Sequence, residues 1–169
     1  MRCIAESLPP SRSVSDPLPG PPRPTHLRPF DARDIPVISE IVSESLHEHY
    51  EPSLYLSLSQ QWPEGFLVAA DALERPVGFL LGVVQVEREG RILMFAIDRA
   101  WRVRGIGTQL MEEFLGRCRS RNLRRATLEV RVSNATAIRF YTRFRFSVTD
   151  LLRAYYSDGE NGYQMARDL

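Results

Sequence analysis

Two glycines one residue apart sit in a run of positions that could hold an anion: Arg102-Val103-Arg104-Gly105-Ile106-Gly107-Thr108. Without a Cβ, Gly105 and Gly107 let the backbone come close to a ligand. An amphipathic pattern opens at Ile106, so the exposed N–H groups of a first helical turn would point at that anion, and the helix dipole favours it. Arg102 and Arg104 add fixed positive charge in the planar form that suits phosphate. A pyrophosphate could sit here without any lysine. The same string also fits a glycine-punctuated helix start with solvated arginines. A dinucleotide-binding fold fits less well, because the third glycine is missing and the preceding strands read as a meander.

All 22 basic residues are arginine; the chain has no lysine. That excludes Schiff-base chemistry, and with it pyridoxal-phosphate enzymes and lysine-dependent aldolases. It equally excludes P-loop nucleotidases and protein kinases, which place a lysine on the phosphates. The formal net charge of +1 argues against nucleic acid as an obligatory partner. Cys3 and Cys118 are far apart, which suits a reducing compartment rather than a disulfide or zinc framework. His47 and His49 bracket Glu48, but at i,i+2 on a helix they face apart, so no metal site is expected. The longest apolar run, about Phe79 to Val86, is too short to span a bilayer, and Met1–Glu6 turns polar at once. A cytoplasmic location without membrane attachment is therefore expected.

The elements that must carry these residues follow from periodicity. Eight of the 12 prolines fall within the first 29 residues, so residues 1–24 read as a disordered tail and 25–169 as one domain. Thr25–Arg28 reads as a short strand; Asp31 then caps a helix bearing Ile38, Ile41, Val42 and Leu46. Leu54–Leu58 fits either a strand or a helix by pattern. Phe66–Ala70, Val77–Val86 and Ile92–Ile97 read as an antiparallel meander, with Glu87–Gly90 as a hairpin turn. From Gly105 the period changes to helical, with Ile106, Leu110, Met111, Phe114, Leu115 and Cys118 on one face and a Glu113–Arg117 pair opposite. Ala126–Val132 is a strand, and Ser133 or Asn134 caps a helix carrying Ile138, Tyr141 and Phe144. Strands at Phe146–Ala154 and Gly162–Ala166 close the chain. The central strand–helix–strand order implies a parallel crossover within a mixed sheet.

The string Arg102-x-x-Gly105-x-Gly107 after a strand resembles the acetyl-CoA pyrophosphate loop of the GNAT acetyltransferases. More specific is Leu128-Glu129-Val130-Arg131-Val132-Ser133-Asn134-x-x-Ala137-Ile138-x-x-Tyr141, which resembles the RimI-like and archaeal protein N-terminal acetyltransferases. Leu46–Tyr50 and Tyr155–Arg167 resemble the same subfamily. The resemblance covers about residues 25–169 and resolves the Leu54 segment as helix. It implies an α/β (α+β) fold: a mixed, mostly antiparallel, V-shaped sheet of about seven strands with about four helices. It also implies acetyl-CoA lying where two parallel neighbours splay. In that picture the backbone of Phe95, Ala96 and Ile97 meets the thioester and pantetheine. Arg102, Val103, Arg104, Gly105, Ile106, Gly107 and Thr108 cradle the pyrophosphate, and Asn134 and Tyr141 touch the cofactor from the next helix.

The implied reaction is direct attack of an amine on the thioester. It needs a neutral amine, a polarised carbonyl and a proton for the leaving thiolate. Glu129 could take the amine proton through a water; it could equally be a strand carboxylate paired with Arg131 or Arg124. Tyr141 could protonate the thiolate, or be a core aromatic. Glu48, Tyr50, Tyr155 and Tyr156 would line a peptide slot, or form a solvated helix end and an amphipathic rim. The substrates implied are protein N-termini, including chains still on the ribosome. Acetylation of a small-molecule amine and an inactive acyl-CoA-binding module are the alternatives. Two positions depart from the pattern: Arg145 stands where many members carry glycine, and Arg91 where some archaeal relatives carry histidine.

Overall fold

The computed structural model describes residues 24–46, 49–86 and 88–169, together with the backbone of residues 4–7. In chain order the strands are β1 (Ile4–Ser7), β2 (Thr25–Pro29), β3 (Phe66–Asp71), β4 (Pro76–Val86), β5 (Glu89–Ile97), β6 (Arg125–Arg131), β7 (Ser147–Leu152) and β8 (Gly162–Asp168). The helices are α1 (Ile35–Leu46), α2 (Pro52–Gln61), α3 (Ile106–Ser120) and α4 (Ala135–Arg143). The main sheet runs β2-β3-β4-β5-β6-β8-β7. Its β5–β6 pairing is parallel, bridged by α3, while β2–β5 and β6–β8–β7 pair antiparallel. Among the described residues no helix is long and apolar enough to cross a membrane.

The central strands read as unbroken apolar runs because helices cover both faces. On one face Ile35, Ile38, Ile41 and Val42 of α1 pack with Phe66, Val68, Phe79 and Leu81. On the other, the whole expected stripe of α3 is buried against Leu67, Leu80, Ile92 and Leu128. Gly82 lets α3 approach β4, since a Cβ there would collide with the Phe114 ring. The α1 entry is fixed by a reciprocal cap. The Asp31 carboxylate accepts from the Arg33 N–H, the Asp34 carboxylate accepts from the Asp31 N–H, and Arg28 donates twice to Asp34 at 2.8 Å. The Leu54 segment is helical, as the resemblance implies.

Some boundaries differ from the pattern. β5 starts at Glu89 rather than Ile92, because the turn is tighter than expected and Arg88 takes φ 65°. β7 stops at Leu152, before Ala154 turns left-handed at φ 46°. The position where the resemblance implies glycine has a backbone reason: Arg145 sits at φ 63°, in the region where a side chain costs about 1–2 kcal/mol. Replacing Arg145 with Gly should therefore raise stability by up to about 1 kcal/mol, or about 2–4 °C in Tm, by differential scanning calorimetry. A lower Tm would show that the Arg145 side chain stabilises more than its backbone strain costs.

Candidate functional site: a splayed strand pair with an anion loop

Strands β5 and β6 pair only from Glu89↔Arg125 to Arg91↔Thr127. Immediately afterwards β5 carries a bulge: Leu81 opposes Met94 and Gly82 opposes Ile92, leaving Leu93 extra. A bulge bends its strand and increases its twist, so β5 swings away from β6 and opens a wedge. The residues expected to meet a thioester, Phe95, Ala96 and Ile97, all lie on the parted half of β5. β1 occupies part of the edge so exposed. It pairs parallel with β5 at Ile4↔Met94 and Ser7↔Ala96, and it also contacts β6 and α1. The rest of the proline-rich segment, residues 8–23, lies outside the described residues.

Past the end of β5, the chain enters the expected anion loop. Val103 is exposed and takes φ 61°, an unusual conformation for a β-branched residue. Gly105 follows at φ 82° as the N-cap of α3, with no side-chain cap and open space around its Cβ position. The first-turn amides of α3 therefore have no side-chain acceptor from that cap. Arg104 Nε and Nη1 are buried without a hydrogen-bond partner, and the guanidinium lies 5.7 Å from the Trp101 ring centroid. Orphaned donors beside uncapped amides fit a multiply charged anion such as a pyrophosphate. Arg102 is held by the scaffold through two of its nitrogens. Its Nε donates to the Ile97 carbonyl at 2.9 Å and its Nη2 to Ser45 Oγ at 2.8 Å, tying β5 to α1. Burial, and then the neighbouring Arg99 charge, lower its pKa.

At the root of the wedge lies Glu129, 3 % exposed on β6. Arg91 donates to its Oε2 from Nε at 3.1 Å and from Nη2 at 2.9 Å. Arg91 also reaches Gln85 Oε1 at 2.6 Å and the Tyr155 hydroxyl at 3.2 Å. The strand carboxylate is thus ion-paired, but with Arg91 rather than with Arg131 or Arg124. The register explains this: Arg91 faces Thr127, so Glu129 is its diagonal neighbour on the same face, within reach of a long side chain. Arg131 turns instead to the β7–β8 connection, donating to Asp158 Oδ2 at 2.7 Å and Glu160 Oε2 at 2.8 Å. Both carboxyls are held below their usual range, Asp158 first by the Glu160 amide and Glu160 first by Ser133. Arg131 also stacks 4.0 Å over the Tyr156 ring, so β6 anchors the Tyr155–Tyr156 corner, whose rings meet edge-on at 5.2 Å.

Tyr141 is 1 % exposed on α4, with its ring against Phe140 and Phe146. Asn134 caps α4, its Oδ1 accepting from the Ala137 N–H at 3.0 Å. Tyr50 is half-buried beside the α1 core, while His47 and Glu48 lie outside the described residues. Cys118 is buried in the core with its thiol pushed up to about 12, which suits packing rather than chemistry. The structure thus brings Glu129, Tyr155 and Arg91 together. The partnership of Arg91 with Glu129 was not read from the sequence. It follows only from the register of two strands whose paired residues lie 36 apart in the chain.

Comparison with known proteins agrees with this architecture. The model of the acetyltransferase (GNAT) family matches residues 35–146. An uncharacterized N-acetyltransferase of Methanocaldococcus jannaschii is 34 % identical over 142 residues, covering 83 % of this chain and 90 % of that protein. An N-alpha-acetyltransferase of Sulfolobus acidocaldarius is 31 % identical over 148 residues, covering 80 % and 88 %. Among solved structures, Ard1 from Thermoplasma volcanium superposes with a TM-score of 0.81 at 42 % identity, covering 86 % of this chain and 97 % of that one.

Proposed function

Because the chain belongs to the GNAT family of acetyltransferases, we propose that it moves the acetyl group of acetyl-CoA onto the free α-amino group of protein N-termini. The observation that carries this reading is the likeness, across most of both chains, to a relative named an N-alpha-acetyltransferase. The physics of the amine agrees. An α-amine with a pKa of about 7.7–8.0 is roughly 10–20 % neutral at pH 7, whereas a lysine amine near 10.4 is about 0.04 % neutral. A single carboxylate acting through water is enough for the former.

The residues take the following parts. The pyrophosphate rests on the uncapped first turn of α3 and the orphaned donors of Arg104. The backbone of Phe95, Ala96 and Ile97 lies along the acyl arm. The amine nitrogen attacks the thioester carbon; its proton passes through water to Glu129, and Tyr141 gives a proton to the departing sulfur. Tyr155 and Tyr156, fixed by Arg91 and Arg131, form one wall of the peptide slot, and Tyr50 and Glu48 remain the other candidates to line it. Initial rates with acetyl-CoA test the reading. N-terminal peptides should be acetylated at least ten times faster than small polyamines of equal concentration, as expected where an extended substrate is positioned for attack. The reverse order would assign the enzyme to small-molecule amines, and no transfer to either would make it an acyl-CoA-binding module.

The tail supplies no group to this chemistry. β1 lies on the same stretch of β5 that the acyl arm needs, so strand and cofactor compete for one edge. Deleting residues 2–22 should leave kcat for a peptide within a few-fold of the parent and should lower the KM for acetyl-CoA. Loss of activity in a folded deletion variant would show that the tail reaches into the reaction.

A further inference from the structure

The near-neutral total charge is the sum of two unlike parts. Residues 116–145 hold nine arginines against one carboxylate, Glu129, a local charge of +8, while the whole chain carries +1 and the remainder therefore −7. Folding brings several of these arginines, together with Arg88 and Arg167, to one end of the molecule, whereas Arg131 is taken by Asp158 and Glu160 at the other end of β6. The turn before β5 meets the start of β6, where the Arg124 N–H donates to the Arg88 carbonyl at 2.7 Å. Arg125 opposes Asp168 across β6 and β8, and the Leu169 N–H donates to the Arg124 carbonyl. Arg167 Nη1 donates to the Phe144 carbonyl at 2.7 Å, which joins the end of α4 to the same corner. Burial, then the charges of Arg119 and Arg145, lower the pKa of Arg167, as expected of cations held near one another.

This charge has little to balance it. Arg88, Arg119, Arg124, Arg125 and Arg145 are exposed. Among the described residues none of the five forms an ion pair, whereas Arg117, two residues before Arg119 on α3, is taken by Glu113 at 2.6 Å. The nearby acids among the described residues are Asp168 and Glu89, which accepts from Thr127. The corner is also separate from the proposed active site. Arg125 precedes Glu129 by four strand residues, about 13 Å. Arg119 is near the far end of α3 from Gly105, about 20 Å away. A ligand there leaves the wedge and the anion loop open.

We propose that this corner docks on the sugar–phosphate backbone of structured RNA, holding the enzyme at an RNA surface while its cleft works on a peptide. Charge complementarity favours RNA: the arginines come from five separate chain segments, a broad field suited to the closely spaced phosphates of a duplex. Arginine's fork suits phosphate oxygens. A membrane surface fits less well: of the exposed large apolar residues described, Val148 lies beside the corner but Leu73, Val103 and Leu151 lie toward the opposite strand ends, and surface-seated helices insert a row of apolar side chains. The inference concerns location rather than reaction and stands whichever amine is acetylated.

Fluorescence anisotropy of a labelled RNA hairpin with the full chain tests it. If six phosphates are neutralised, affinity should fall roughly 10³-fold between 50 and 200 mM salt. R119Q/R124Q/R125Q should weaken binding more than tenfold and reduce the salt slope by about three, one for each lost contact. R119K/R124K/R125K should keep most of the binding, which separates loss of charge from loss of fold, and both variants should acetylate a short peptide at the parental rate. The proposal is overturned if the parent does not bind RNA or if the Gln variant binds with unchanged affinity and slope. It is equally overturned if phosphatidylserine vesicles or polyglutamate at equal charge displace the hairpin completely, which would assign the corner to membranes or acidic proteins.

Discussion

Glu129→Gln should lower kcat for peptide acetylation by about 10²–10⁴-fold, the usual worth of a positioned base. The substitution keeps the volume and an oxygen for Arg91, yet removes the charge that balances a guanidinium only 13 % exposed. A stability loss of up to about 3 kcal/mol is therefore expected alongside the loss of rate. Arg91→Met in the Glu129→Gln background should recover much of that stability without recovering activity, which separates the chemical from the structural part. Tyr141→Phe should lower kcat by a similar order, with the ring packing against Phe140 and Phe146 intact. If both serve one transition state, the double variant should lose less than the product of the single losses. The Glu129 variant should regain rate toward pH 9, because more amine is then neutral unaided, whereas Tyr141→Phe should not. Near-parental kcat in both single variants would remove them from the mechanism and make Glu48 the next candidate base.

Gly107→Asp should abolish acetyl-CoA binding. Gly107 is in the first turn of α3, whose N-cap Gly105 offers no side-chain acceptor and beside which Arg104 holds orphaned donors. A carboxylate there satisfies the amides from within and repels the pyrophosphate. One like charge at about 4 Å in a partly solvated site is worth about 4 kcal/mol, so affinity should fall by about 10²–10³-fold or more. A first-turn carboxylate is otherwise favourable to a helix, so the fold should hold. Isothermal titration with acetyl-CoA reads the result, and unchanged affinity would place the cofactor elsewhere.

Much of this architecture is legible in the residues. The apolar stripe of α3 and the glycines before it predict both the helix and its uncapped start, because helical period and N-terminal amides are local properties. The meander is legible for the same reason. What escapes are features that depend on how distant strands align. The Leu93 bulge is marked only by Gly82 on the facing strand, yet it lies at the root of the wedge. Glu129 is recognisable as a buried strand carboxylate with a cationic partner, but choosing among Arg91, Arg124 and Arg131 requires the β5–β6 register. The left-handed turns at Arg88, Arg145 and Ala154 are hidden by residues that do not favour them, which is why strand ends there are misplaced. The clustering of Arg88, Arg119 and Arg167 is likewise invisible until the sheet folds their segments to one corner.

The central claim is transfer to an α-amine, and site-resolved mass spectrometry measures it most directly. A peptide with a free N-terminus and one internal lysine, incubated with acetyl-CoA and the full chain, should gain a single acetyl group. Fragment ions should place that group on the first residue at early times, with Glu129→Gln giving little product under the same conditions. An acetyl group on the lysine side chain, or a peptide left unmodified by an enzyme that binds acetyl-CoA, would contradict the account.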